Sequence, residues 1–352
     1  MKSFAGITAL SFPFAAGTAA AAVLNIPFAG ALACSSASIL LISFCIISPK
    51  RSGAALCALF FCLGALCWCS AALSPAPPIR PAGGPAMDAL VRRIDALGLA
   101  GGHSPAILEA LLTGRRSSLP RSTIEIFRKS GASHILALSG LHLGVIYGCI
   151  RKILLPAGNS RGAKAAAAVL TVSLCGGYVL ATGASASITR AFLFIFINEC
   201  SRLVSGRKSR PLGTFCLALM IQLCLRPDMI SSAGFQLSYL AMLGITLLNP
   251  RLSAWYPDSG RPDPLRRIWK AAALSVSCQL FTAPAAWWHF RSFPLYFLIT
   301  NLIALPLTEC IIITALGALA LDAVHLPAQV LALACGKMIQ GLEFCLETIA
   351  SL

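Results

Sequence analysis

The stretch 131–146, GASHILALSGLHLGVI, is apolar enough to enter a bilayer, yet it holds His134, Ser139, Gly140 and His142. A polar group in hydrocarbon costs on the order of a few kcal/mol unless it is paired or faces water. Gly140 also weakens a helix at that point. A segment needed only to span would not carry these residues. Ser139 and His142 stand at i and i+3, so they share a helix face and can touch. His134 is eight residues from His142, an offset of about 80° around a helix. Three chemistries fit. One is a serine nucleophile with a histidine base, as in an intramembrane hydrolase. A second is a metal site built on two histidines. The third is a hydrogen-bonding lining for a translocated polar substrate. The stretch contains no acidic residue to orient a catalytic histidine. The lining reading makes Ser139-Gly140 a break in a pore-lining helix and His134 and His142 its polar faces.

Other residues break the rules of an apolar helix. Arg190 sits in TGASASITRAF, at the start of an apolar run. It either snorkels to the interface or faces a polar cavity. Glu199 lies nine residues on, about 180° around the same helix, and is expected to meet another helix or the interface instead. Gln236 and Ser238 lie in AGFQLSYLAMLG, and Asn301 lies in FLITNLIALPL ahead of Pro306 and Glu309. Pro306 is expected to interrupt that helix. Each of these residues alone can serve as glue between helices. Together with Gly140 and Gly183 they suggest broken helices around a central polar passage.

The elements that must hold these residues follow from composition. Apolar residues make up 57% of the 352 residues and charged residues 11%, with a mean hydropathy of +0.80. A soluble domain carries about 25% charged residues. Long apolar runs recur at about 2–24, 28–47, 54–73, 133–155, 165–182, 188–204, 212–225, 231–248, 271–288, 295–321 and 328–350. The expectation is an all-α polytopic membrane protein with about 11 apolar helical elements. The runs are continuous rather than alternating, which argues against a β-barrel. The fifteen cysteines are odd in number, form no CxxC pair and lie mostly inside apolar runs, as small hydrophobes do. No metal or other cofactor is expected.

Three regions are expected: N-terminal membrane helices over 1–73, a linker and extracytoplasmic segment over 74–130, and a membrane domain over 131–352. The middle region opens on the Pro-rich SPAPPIRPAGGP, which reads as an extended linker. Residues 88–99, 104–114 and 122–129 read as amphipathic helices at the membrane interface. Counting spans from a cytoplasmic N-terminus places Lys50, Arg51, Arg151, Lys152, Arg161, Lys164, Arg202, Arg207, Lys208, Arg210, Arg251, Arg261, Arg266, Arg267 and Lys270 inside. Short outer loops hold only Arg226 and Arg291. That alternation obeys the positive-inside rule. It leaves Arg80, Arg92, Arg93, Arg115, Arg116, Arg121, Arg128 and Lys129 in the outer segment, where topology does not explain them. An external anion is implied, and lipid headgroups are its simplest form.

HILALSGLHLGV, with its lead-in FRKSGASHIL, resembles the signature of the ComEC-type competence family. ATGASASITRAF, LCLRPDMISSAGFQLSYLAMLGI and FTAPAAWWHFRSFPLYFLITNLIALPL resemble later blocks of that family, in the same order over about 106–321. The resemblance implies an inner-membrane channel, with no covalent chemistry of its own, that admits one DNA strand during natural transformation. It marks His134, Ser139, Gly140, His142, Arg190, Gln236, Ser238 and Asn301 as signature positions. Implied partners are single-stranded DNA and membrane lipids, with a separate DNA receptor, nuclease and cytoplasmic helicase beside it. Family members carry an OB-like domain before the competence region, and many end in a metallo-β-lactamase-like domain. The gap at 74–130 is too short for the first, and the five histidines (His103, His134, His142, His289, His325) form no HxHxDH motif for the second. No nuclease activity is expected in this polypeptide. The alternatives that remain are a transporter of another anionic solute and an intramembrane serine hydrolase.

Overall fold

The computed structural model describes residues 2–47, 52–74, 84–99, 101–154, 160–206, 209–257, 263–291 and 296–352. Most of the Pro-rich run lies outside them, as do Lys50, Arg51, Arg80, Arg207, Lys208 and Arg261. The regular elements of the described residues are all helices. Each expected apolar run falls on one: α1 (Lys2–Leu24), α2 (Pro27–Ile47), α3 (Ser52–Leu73), α9 (Arg161–Ala181), α10 (Ala186–Ser205), α11 (Pro211–Leu225), α12 (Ala233–Leu247), α14 (Pro264–Phe290), α15 (Phe297–Ala323) and α16 (Gln329–Ala350). The run at 133–155 is the exception, because it is split into α7 (Ser133–Leu136) and α8 (Gly140–Leu154). Shorter pieces are α4 (Pro85–Ala96), α5 (Ser104–Thr113), α6 (Arg121–Lys129) and α13 (Asn249–Ser253). A 3-10 turn, Pro227–Ser231, joins α11 to α12.

Six of these helices are long and apolar enough to cross a membrane: α1, α2, α3, α9, α15 and α16. The chain is an all-α polytopic membrane protein. The helices that miss the criterion include those bearing most of the polar candidates, whereas Asn301 lies on α15, which meets it and runs through Pro306 without the expected interruption. α8 and α12 have 15 residues each, and α10 carries Arg190, Glu199 and Arg202.

Among the described residues, no buried side-chain polar atom of the first three helices lacks a partner. A side chain on Gly17 would collide with the backbone carbonyl of Phe61, and one on Gly64 with that of Phe14. The two backbones of α1 and α3 therefore touch, as small residues allow in membranes. Thr18 Oγ1 lies across the seam, 3.0 Å from Phe14 O and 3.1 Å from Gly64 O. α11 lies against α1, and α12 pairs with α14.

The middle segment packs on the membrane helices through α5. Eight of the ten residues of α5 are buried, so protein encloses the helix rather than one face of it. Its apolar Ile107, Leu108 and Leu111 join Ile94, Phe127, Ile311, Ile312 and Ile339 in one core with α15 and α16. The polar residues of α5 are satisfied inside the protein: Thr113 Oγ1 donates to Glu109 O at 2.7 Å, and Glu109 Oε2 accepts from Ser118 Oγ at 2.6 Å. The segment also touches both ends of α15. Arg93 Nη1 pairs with Asp322 at its C-terminal end at 3.0 Å. Thr300 near its N-terminal end donates to Ser130 O at 2.7 Å. A helix of 27 residues is about 40 Å long, so residues 93–130 run along the hairpin rather than sitting at one end.

Candidate functional site

The broken helix builds the site. α7 ends after one turn, and Ala137 turns the chain extended at φ −79° and ψ 126°. The carbonyl left free at Leu136 accepts from Arg116 Nε at 3.1 Å, a bond from the middle segment. Helix restarts at Gly140, so Ser139 is its cap residue. The Ser139 backbone N–H donates to His142 Nδ1 at 3.0 Å. This is the side-chain-to-N-cap half of a capping box, with histidine in the place of glutamate or glutamine. It explains the i, i+3 spacing in structural terms.

The cap also assigns the imidazole. Nδ1 accepts, so in the neutral ring Nε2 carries the proton. His142 is 1% exposed, and its Nε2 meets no partner. Ser139 Oγ lies 3.4 Å from the same Nδ1. That exceeds the roughly 2.6–3.2 Å reach of a nucleophile and its base. Nδ1 is moreover already filled by the backbone N–H. The geometry of a serine–histidine catalytic pair is not assembled here.

Arg190 stands beside this cap. Its Nη2 lies 3.4 Å from the position a Gly140 Cβ would occupy. The residue is 8% exposed, its Nη1 has no hydrogen-bond partner, and no ion pair among the described residues includes it. Burial rather than snorkelling is the outcome. The guanidinium lies over the Tyr239 ring, 5.9 Å from its centroid. Tyr239 donates to Gln222 Oε1 at 2.8 Å, and Gln222 Nε2 donates to Ala186 O at 3.1 Å. The turn before α10 depends on Gly183, whose φ of 83° suits glycine.

Glu199, turned away from Arg190 as its spacing requires, meets α8. It receives hydrogen bonds from Arg151 Nη1 at 3.0 Å, Arg202 Nη1 at 3.1 Å and Tyr147 Oη at 2.5 Å. The other signature residues divide. Gln236 Nε2 donates to Ile230 O at 2.9 Å, which leaves its Oε1 to accept from His289 Nε2 at 2.8 Å. Ser238 Oγ donates to Ser187 Oγ at 3.1 Å and so ties α12 to α10. His134 is exposed on α7, with Nδ1 3.1 Å from Gly131 O. Asn301 lies near the start of α15, which packs on α8, and its buried Oδ1 has no partner. The structure thus joins Ser139, Gly140, His142 and Arg190, and it does not place Gln236 or Ser238 in direct contact with them.

Tyr239 and His289 were not singled out from sequence. Tyr239 adjoins Ser238, so an aromatic beside a polar motif was the available signal. His289 is 53 residues from Gln236, and nothing local announces the pair. The basic middle segment carries less free charge than its composition suggests. Arg93 pairs with Asp322, Arg115 with Asp88 and Arg128 with Glu125, and Arg116 caps α7. Among the described residues no cluster of three or more His, Cys, Asp or Glu could hold a metal.

Comparison with known proteins bears on residues 111–352, which match the model of a family described as "Competence protein". A curated relative, ComE operon protein 3 of Bacillus subtilis (strain 168), is 28% identical over 210 residues. That alignment covers 59% of this chain and 25% of the relative, so the chain spans well under half of the relative's length. No solved structure matches.

Proposed function

The chain belongs to the Competence protein family, and we propose that it forms the membrane path by which single-stranded DNA enters a bacterial cell through the inner membrane during natural transformation. One observation carries this reading. The buried side-chain polar atoms without a partner among the described residues are His142 Nε2, Arg190 Nη1 and Asn301 Oδ1. All three belong to the signature blocks. Buried polar atoms are normally satisfied, and each exception calls for an explanation. Unmet donors and an acceptor on α8, α10 and α15 suit a ligand with a charged backbone and polar base edges. Glue residues such as Gln236 and Ser238 are satisfied within the protein and need no such ligand.

The chain conducts, and the strand is its substrate. The test is deletion of the gene. Transforming DNA should stay bound at the surface while entry into the cytosol is lost. Purified full-length protein in liposomes should admit a labelled single-stranded oligonucleotide. Unchanged transformation, or passage of a small anion with exclusion of the oligonucleotide, would overturn the reading.

A further inference from the structure

The first four N–H groups of a helix have no acceptor within it. In α8 these belong to Ser139, Gly140, Leu141 and His142. The first is taken by His142 Nδ1, and the ladder proper starts with Leu143 N–H to Ser139 O at 3.5 Å. The remaining three project from the helix end, where the macrodipole places about half a positive charge. Arg190, nine-tenths buried, stands next to that end with Nη1 unmet. His142 Nε2 adds a further buried donor on the same turn.

All these groups donate, and among the described residues no carboxylate pairs with Arg190. Cations are favoured at helix C-termini, so a buried guanidinium at an N-terminus has the wrong sign for a purely structural role. An acceptor-only anion relieves both the charge and the unmet donors. A phosphodiester has one negative charge and two non-bridging oxygens, a shape the guanidinium fork matches. We propose that the N-terminal turn of α8 and Arg190 form a binding station for a single phosphodiester group. The station rests on the reading that a DNA strand passes this way. Gly140 is part of the device. A Cβ there would lie 3.4 Å from Arg190 Nη2 and 3.2 Å from Ala191 Cβ, so the missing side chain keeps the guanidinium open. The Tyr239 ring, itself fixed by its hydrogen bond to Gln222, lies against the guanidinium.

The test compares binding of a phosphodiester oligonucleotide with its uncharged methylphosphonate analogue to the purified full chain. Dimethyl phosphate and glycerophosphoglycerol, a soluble lipid headgroup, serve as competitors. Wild-type protein should prefer the charged strand by about tenfold or more, and Arg190→Gln should reduce that preference to about twofold or less. Arg190→Lys should retain part of it, because the charge stays while the fork is lost. Gly140→Ala, which keeps the charge, should weaken it to an intermediate degree. Arg251→Gln, at an exposed position on α13, should change nothing. Helical circular dichroism and elution volume check that each variant is folded. An Arg190→Gln protein that keeps the full preference overturns the station; if it still admits oligonucleotide into liposomes, the conducting role stands. Binding of dimethyl phosphate by a wild-type protein that admits no strand supports the station and overturns the conducting role. Displacement by glycerophosphoglycerol but not by oligonucleotide assigns the site to lipid and overturns the station.

Discussion

Helix α10 carries two buried charges of opposite sign, nine residues apart, and they live under different rules. Glu199 is 2% exposed and meets two arginines and a tyrosine. Arg190 is 8% exposed and meets a ring face and one helix end, with Nη1 unmet. A charge braced on every side fixes α8 to α10. A charge left open at a helix N-terminus is held ready for something that comes and goes. The same pair of helices is thus locked at one end and primed at the other. Burial does not separate a structural charge from a working one; the state of its partners does.

The largest expected effect breaks the locked end. Glu199→Ala leaves Arg151 and Arg202 without their acceptor, and removing one member of a buried pair costs about 3–5 kcal/mol. The arginine side chains remain 27% and 25% exposed, so the lower part of that range is expected. Arg190→Gln removes a buried charge with no counter-charge, so its stability should change by less than about 1 kcal/mol in either direction. Reversible unfolding of both variants in mixed micelles measures the contrast. Equal losses at the two ends would erase the distinction drawn between them.

Much of this arrangement was legible beforehand. The apolar runs gave the helices, because the length of a bilayer-crossing run is a strong signal. Glu199 was already turned away from Arg190 by helix geometry. The interruption near Ser139-Gly140 was readable too, although Gly140 proves to be the first helical residue and the extended turn is at Ala137. What stayed hidden is long-range. His289 satisfies Gln236 from 53 residues away, so residue type alone does not tell glue from site. α5 reads as an amphipathic helix, yet eight of its ten residues are buried and it joins a core with α15 and α16, a fact that depends on tertiary packing. The pairing of Arg93 with Asp322 spans 229 residues, and no local pattern encodes it.

A smaller effect sharpens the comparison at the primed end by separating cap from donor. His142→Ala loses the acceptor for the Ser139 N–H and should cost about 1 kcal/mol, the usual value of a helix N-terminal cap. His142→Gln can rebuild the cap, since glutamine is an ordinary residue at that place in a capping box. It does not restore the imidazole Nε2–H in its buried position. Stability should therefore recover in His142→Gln to within about 0.5 kcal/mol of wild type while strand entry into liposomes stays reduced. Full recovery of both would make His142 a cap alone and leave Arg190 as the only side-chain donor at work.

The smallest effect comes from a charge pair that is neither locked nor primed. In the turn after α11, Arg226 Nη2 lies 2.7 Å from Asp228 Oδ2. The hydrogen bonds from Arg226 hold the Asp228 carboxyl below its ordinary range. Because the folded pKa is depressed, the pair's stabilisation is present above the unfolded pKa and is lost as the pH falls through the folded one. The aspartate side chain is 57% exposed, so solvent and salt screen the interaction. Asp228→Asn should cost less than about 0.5 kcal/mol at neutral pH, and less again in high salt. The gap between variant and wild type should close as the pH drops through and below the carboxylate range. A cost comparable to that of Glu199→Ala would mean that short N–O distance, rather than burial with complete partnering, sets the strength of charge pairs in this protein, and the contrast along α10 would then lose its physical basis.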